Sequence, residues 1–138
     1  MSTLNKKIQI SIFSGLIYFI VNLPETYKLT NKILNSYTDN NCPTLIGSIL
    51  HTCIFFIITY LSMYKSTKDN GIKLKHTVYG TLIYYFVSSP ALYNISHILF
   101  GNTISDNNGC PTLLGILLHD IIYIIILIGI MYLPEKNR

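Results

Sequence analysis

The chain has 138 residues, half of them apolar and only 12% charged, with a formal net charge of +4 and a mean hydropathy of +0.43. A soluble domain of this length cannot hide that much apolar surface, so the expected setting is a membrane. The lysines lie between apolar stretches and form no basic face interleaved with aromatic residues, which excludes nucleic acid as the expected partner. Cys42, Cys53 and Cys110 are too few and too scattered for a disulfide scaffold, and no C-x-x-C pair is present for zinc or thiol redox chemistry.

In chain order, four stretches approach the roughly 20 apolar residues that a helix needs to cross a bilayer core about 30 Å thick. The first opens at Ile8 and is uncharged to Pro24. The second, 45–64, and the fourth, 113–133, are the clearest, the latter running IIYIIILIGIMYL after a single Asp120. The third, 78–100, is uncharged when His97 is neutral. Pro24 and Pro90 stand at the same relative place in the first and third. A helix confined to 78–89 spans only about 18 Å, too short to cross. Both stretches are therefore expected to continue past their prolines as kinked helices. The other arrangement is a short span followed by an interfacial helix, which ETYKLTNKIL favours in the first half. No small-residue cleavage site follows the first stretch, which reads as a retained anchor.

Lys6 and Lys7, then Lys65, Lys68, Lys73 and Lys75, then Lys136 and Arg138 all fall on one side of these spans. The connections on the other side, 35–44 and 101–112, carry only Asp39 and Asp106, with Lys28 and Lys32 as exceptions. The positive-inside rule then places both termini on the cytoplasmic side.

CPTLIGSILH, from Cys42 to His51, returns as CPTLLGILLH, from Cys110 to His119, with seven of ten positions identical. Upstream, LIYFIVNLPETY at 16–27 matches LIYYFVSSPALY at 82–93. The expected fold is therefore all-α: a four-span transmembrane helical bundle built from two tandem helical hairpins, residues 1–68 and 69–138. Two hairpins of two spans each insert in the same orientation, related by a pseudo-two-fold axis along the membrane normal.

The order NLP or SSP, a tyrosine-led polar segment, an Asn/Asp-rich loop, CPT, glycine and Leu-His resembles small two-span hydrophobic membrane proteins of giant nucleocytoplasmic DNA viruses. YKLTN at 27–31 and both CPT motifs carry the likeness, while NISH at 94–97 departs from it. The resemblance implies a virion or host-membrane protein and supplies no catalytic residues.

Pro43 and Pro111 suit the first helical position, which makes Cys42 and Cys110 the expected caps, a role that cysteine does not favour. Two readings of these cysteines stand side by side: free thiols, or a bridge joining the two loops in an oxidising space. Cys53 reads as a packing residue within its span. At 100° per residue, Thr44, Gly47, His51, Phe55, Ile58 and Ser62 share one stripe, as do Thr112, Gly115, His119, Tyr123, Ile126 and Ile130. Small and polar residues on one face let membrane helices approach and hydrogen-bond, so the stripe reads as a helix-packing seam. The alternative takes His51 and His119, with Asp120, as a proton or metal site. Asp120 has no counterpart in the first half, where Thr52 stands.

No residues carry the spacing of a nucleophile, base and orienter, and no phosphate-binding glycine loop is present, so the expected function is non-enzymatic and without a cofactor. The expectation is a small structural component of the internal membrane of a large DNA virus, whose partners are the lipid bilayer, further copies of itself, or other virion membrane or capsid proteins. The alternative function is a proton or small-ion pore, or a haem- or metal-binding redox protein, centred on His51 and His119.

Overall fold

The computed structural model describes residues 2–34, 38–39, 42–65, 68, 70–105 and 110–133. Asp106, Lys136 and Arg138, on which part of the orientation reading rests, lie outside the described residues, as does the side chain of Cys42.

The protein is all-α. Its helices are α1 (Ser2–Asn22), α2 (Pro24–Leu34), α3 (Leu45–Ser62), α4 (Asn70–Ser88), α5 (Pro90–Phe100) and α6 (Leu113–Tyr132). Proline cannot donate to the carbonyl four residues back, so the Ile20 and Phe86 carbonyls lose that bond and accept instead from the Leu23 and Ser89 amides, at 3.3 and 3.4 Å. Both breaks supply a local substitute: Thr26 Oγ1 donates to the Ile20 carbonyl at 2.6 Å and Ser89 Oγ to the Phe86 carbonyl at 2.9 Å. Ser89 then caps α5 from an extended backbone, with Pro90 in the first turn. Gly101, at φ 77°, ends that helix in the left-handed region.

The helices expected to continue past the prolines as kinked helices do resume at Pro24 and Pro90, but each after a one-residue break. α1 and α4 stop there, and the chain turns by 55° between Asn5–Asn22 and Pro24–Ile33. The length argument fails because α4 starts well before the apolar stretch, at Asn70. Its 19 residues reach roughly 28 Å without help from beyond Pro90.

The four long helices form a ring. α1 packs most extensively on α6 and α3 on α4, while α1 against α3 and α4 against α6 close it. The two halves of the chain thus interdigitate, and the largest contacts cross between them. At the centre Tyr18 meets Tyr84 edge to face, with ring centroids 5.2 Å apart. Tyr18 stacks on Tyr123 at 4.9 Å and Tyr84 on Phe55 at 4.3 Å. The two stacks are counterparts, since the sequence alignment pairs Tyr18 with Tyr84 and Tyr123 with Phe55. Aromatic pairs of this kind contribute about 0.5–1.5 kcal/mol beyond their buried area.

Polarity is arranged inside out. Among the described residues, buried polar side chains outnumber buried apolar ones, and they include Ser11, Ser14, Thr77, His51, His119 and Asp120. Large apolar side chains stand outward on every long helix: Phe13 and Ile20 on α1, Ile57 and Leu61 on α3, Leu82 and Phe86 on α4, Ile121 and Ile125 on α6. A water-soluble bundle buries such residues. α3 and α6 are long and apolar enough to cross a membrane, and the bent pair α1–α2 passes as one broken span, giving two or three candidates. α4 is of similar length but carries Lys73 and Lys75 near its start.

Ahead of α3, Thr38–Asp39 and Cys42–Pro43 form a two-rung antiparallel ladder, and ahead of α6 Ser105 bridges to Pro111. Pro43 and Pro111 therefore belong to the loops. The expected caps, Cys42 and Cys110, are corrected to Thr44 and Thr112, each extended at its helix start. A threonine hydroxyl accepts a helix amide well, which explains why the cap lies beyond the proline.

Candidate functional site

The motif residues gather where the loops meet the helix breaks. In the second half, Thr112 Oγ1 accepts from the Gly115 amide at 3.0 Å, and the hydroxyl lies 2.6 Å from the Thr103 carbonyl and 3.0 Å from that of Ile104. The Thr112 amide also donates to Ile104 at 3.0 Å. The threonine thus caps α6 and holds the preceding loop together. Gly115 is buried beneath that loop, and a Cβ on it would run into the Ile104 carbonyl. In the first half, Thr44 Oγ1 accepts from Gly47 at 3.1 Å.

The histidines hold the broken helices. His51 Nδ1 donates to the Val21 carbonyl at 2.9 Å, and His119 Nδ1 to the Val87 carbonyl at 2.8 Å. Each of these carbonyls is in the last turn before a break, where the regular acceptor role four residues on is lost. Both imidazoles are fully buried. Each lies flat on a tyrosine of the following short helix: Tyr27 on His51 at 3.7 Å, Tyr93 on His119 at 4.0 Å. One ring thus ties together a long helix, its broken continuation and the next long helix. An unsatisfied backbone group costs about 1–3 kcal/mol in a protein interior and several kcal/mol in hydrocarbon.

The second ring nitrogens differ. His119 Nε2 pairs with Ser96 Oγ at 2.9 Å, whereas His51 Nε2 is buried without a hydrogen-bond partner. Each histidine is held within its own half by its own carbonyl and tyrosine. Among the described residues, no three His, Cys, Asp or Glu side chains come together as a metal-binding group.

The expected stripe needs a shift. α3 buries Gly47, Ser48, His51, Phe55 and Thr59, and α6 buries Gly115, Ile116, His119, Asp120, Tyr123 and Leu127. Ile58 is 38% exposed and Thr59 takes its place inside, because beyond His51 the buried row advances by four, the ridge along which packed helices meet. Cys53 is exposed and free, which corrects its expected packing role: about 200° around the helix from His51, it stands on the face opposite that row. Cys110 is disulfide-bonded.

No family model matches this chain, and no curated protein or solved structure matches it either.

Sequence reasoning missed three elements of the arrangement. The carbonyls of Val21 and Val87 are backbone groups and leave no side-chain signal. The stacking tyrosines Tyr27 and Tyr93 were visible only as matched letters. At the opposite end of the bundle, Lys7 lies over the Tyr132 ring at 5.2 Å and Lys73 over the Tyr64 ring at 4.7 Å. Next to them, Ser11 Oγ approaches Met131 Sδ at 3.7 Å and Thr77 Oγ1 approaches Met63 Sδ at 3.5 Å. Every one of these contacts joins one half to the other at aligned positions.

Proposed function

We propose that the chain is a non-enzymatic multi-pass membrane protein, a structural component whose four long helices span a bilayer as two tandem hairpins. Its resemblance to small membrane proteins of giant DNA viruses makes a virion or host membrane the proposed location. The observation that carries this reading is the division of labour between surfaces. Outward faces of all four long helices are apolar, while the Thr, Gly and His of the motif are committed to the protein's own backbone. A bundle built this way suits lipid around it and needs no substrate.

The paired Lys–Tyr contacts support a shared membrane boundary. Both lie at the end opposite the CPT loops, and lysine with tyrosine is the residue pair that anchors spans at a cytoplasmic interface. At the other end, α2 turns by 55° from α1, and α2 and α5 expose Leu29, Ile33, Ile98 and Leu99. With Cys53 free, Cys42 is the one other cysteine in the sequence, and the proposal includes a Cys42–Cys110 bridge joining the two CPT loops.

The test is single-cysteine accessibility scanning in a Cys53→Ser background, read with an impermeant maleimide on sealed vesicles. Sites near Lys7 and Tyr132 should react from the same side as residue 68, and sites beside Thr103 from the opposite side. A chain in which only α3 and α6 separate the two sides overturns the four-span reading. Mass analysis of unreduced, alkylated protein tests the bridge: two free thiols besides Cys53 remove it.

A further inference from the structure

Around the helix breaks the two halves share the proline, the valine carbonyl, the histidine and the stacked tyrosine, but they part at one level of the core. Asp120 stands where the first half has Thr52, Tyr123 where it has Phe55, and Gly15 and Ser14 where the second half has Thr81 and Gly80. All four departures converge. Asp120 is 7% exposed, with Oδ1 buried and without a hydrogen-bond partner. That oxygen lies against Gly15, where a Cβ would come within 3.2 Å of it. The fully buried hydroxyls of Tyr18 from α1, Tyr93 from α5 and Tyr123 from α6 interact electrostatically with the same carboxyl. None of the three makes a hydrogen bond of full geometry; the Tyr18 and Tyr93 hydroxyls interact with each other as well as with the carboxyl. The Tyr123 hydroxyl lies beside Gly80 and interacts with Ser14.

In the first half the equivalent place is quiet. Thr52 returns its hydroxyl to the Ser48 carbonyl at 2.7 Å, and Phe55 offers no polar atom. The level around Asp120 therefore brings together a carboxyl and two phenols of the second half with Tyr18 of the first, and no lysine or arginine among the described residues acts on the carboxyl. His119, next in sequence, has both nitrogens engaged elsewhere. An isolated carboxylate in such a place is costly enough that it takes a proton instead.

We propose that Asp120, with the hydroxyls of Tyr18, Tyr93 and Tyr123, forms a binding site for one exchangeable proton inside the bundle. The carboxyl holds it as a neutral acid, and the tyrosine hydroxyls accept or donate hydrogen bonds as the proton comes and goes. This places acid–base chemistry on the His119 side of the core, next to an imidazole whose two nitrogens are already engaged, and it stands independently of the structural role above.

The test uses the full-length protein in liposomes and dicyclohexylcarbodiimide, a hydrophobic reagent that adds to protonated carboxylic acids, with the adduct located by mass spectrometry. The expected result is an adduct on Asp120 that is strong in mildly acidic buffer, disappears in alkaline buffer, ignores sodium and potassium, and is absent from Asp120→Asn. Tyr123→Phe, which installs the residue of the first half, should move the pH of half-labelling by about 0.7 unit, the equivalent of one hydrogen bond. Protection by sodium or potassium at fixed pH overturns the proposal in favour of a metal-cation site. Absence of labelling at every pH, in protein whose circular dichroism is unchanged, overturns it outright, and an unmoved profile in Tyr123→Phe removes the phenol from the site.

Discussion

The helix-break clusters and the layer around Asp120 are neighbours in the core, yet they follow opposite rules. At the breaks, His51 and His119 make the same bond to Val21 and Val87 and the same stack on Tyr27 and Tyr93. At the Asp120 layer the halves share Tyr18 with Tyr84, which touch each other, and Tyr93 with Tyr27, but Asp120 and Tyr123 stand where the first half has Thr52 and Phe55. The histidines kept in both halves hold a last-turn carbonyl, Val21 or Val87, at each helix break, a requirement that recurs with each break. Asp120 and Tyr123, which differ between the halves, are released from that duty, and there a buried carboxyl oxygen without a hydrogen-bond partner lies among phenols.

The sharpest way to break the comparison is to remove a histidine. His119→Ala strands the Val87 carbonyl, frees Ser96 and removes the ring stacked on Tyr93, so it should cost about 3 kcal/mol or more. His51→Ala makes the same losses except the Ser96 bond and should be milder by about 1 kcal/mol. Reversible unfolding in mixed detergent micelles, followed by circular dichroism, gives both numbers. Equal costs, or costs below about 0.5 kcal/mol, mean that the rings do not hold the breaks.

Much of this cluster was legible beforehand, for a physical reason. Pro, Thr, Gly and His are residues whose chemistry is restrictive, so their recurrence marks places where the backbone needs something particular. The apolar runs likewise marked α3 and α6 closely. What could not be read was where α4 begins, since Lys73, Lys75 and His76 look like a connection until Lys73 is seen buried with its ammonium over Tyr64. The cap was misjudged because proline's preference for a first helical turn competed with its place in a loop ladder, and pairing with Ser105 and Thr38 won. Asp120 stood out as an intramembrane charge, but its tyrosine neighbours come from three different helices and leave no local pattern.

A second way to sharpen the comparison is the glycine of the motif. Gly115→Ala sets a methyl against the Ile104 carbonyl, a backbone atom pinned by Thr112. The loop must shift, at a cost of about 1–3 kcal/mol. Gly129, farther along the same helix, has open space around it, and Gly129→Ala should be neutral or gain up to about 1 kcal/mol of helix propensity. The same unfolding assay compares them. Similar values at the two glycines would mean that the loop does not rest on α6.

Cutting the chain tests the halves as a pair. The largest helix contacts, α1 on α6 and α3 on α4, cross between residues 1–68 and 69–138, and each half alone would expose Tyr18, Phe55, Tyr84 or Tyr123. The two fragments, coexpressed with a tag on one, should therefore copurify in mild detergent, and Tyr18→Ala together with Tyr84→Ala should abolish recovery. Fragments that purify separately would show that the link through residues 66–69, rather than the interface, keeps the halves together.

The smallest expected effect separates anchoring from packing at the opposite end. Lys7→Gln and Lys73→Gln each remove an ammonium from a tyrosine face, a contact worth about 0.5–1 kcal/mol at exposed sites and more where water is excluded. Lys73 is 3% exposed and also donates to Asn70 Oδ1 at 3.4 Å, so its loss should be the larger of the two in the unfolding assay. Replacing Tyr64 or Tyr132 with leucine keeps the apolar bulk and removes the π face, and a lysine effect that survives this change comes from the buried stem. If both lysines instead matter only in vesicles containing anionic lipid, their partner is the headgroup layer, and the Lys–Tyr end marks the membrane boundary more than it joins the two halves.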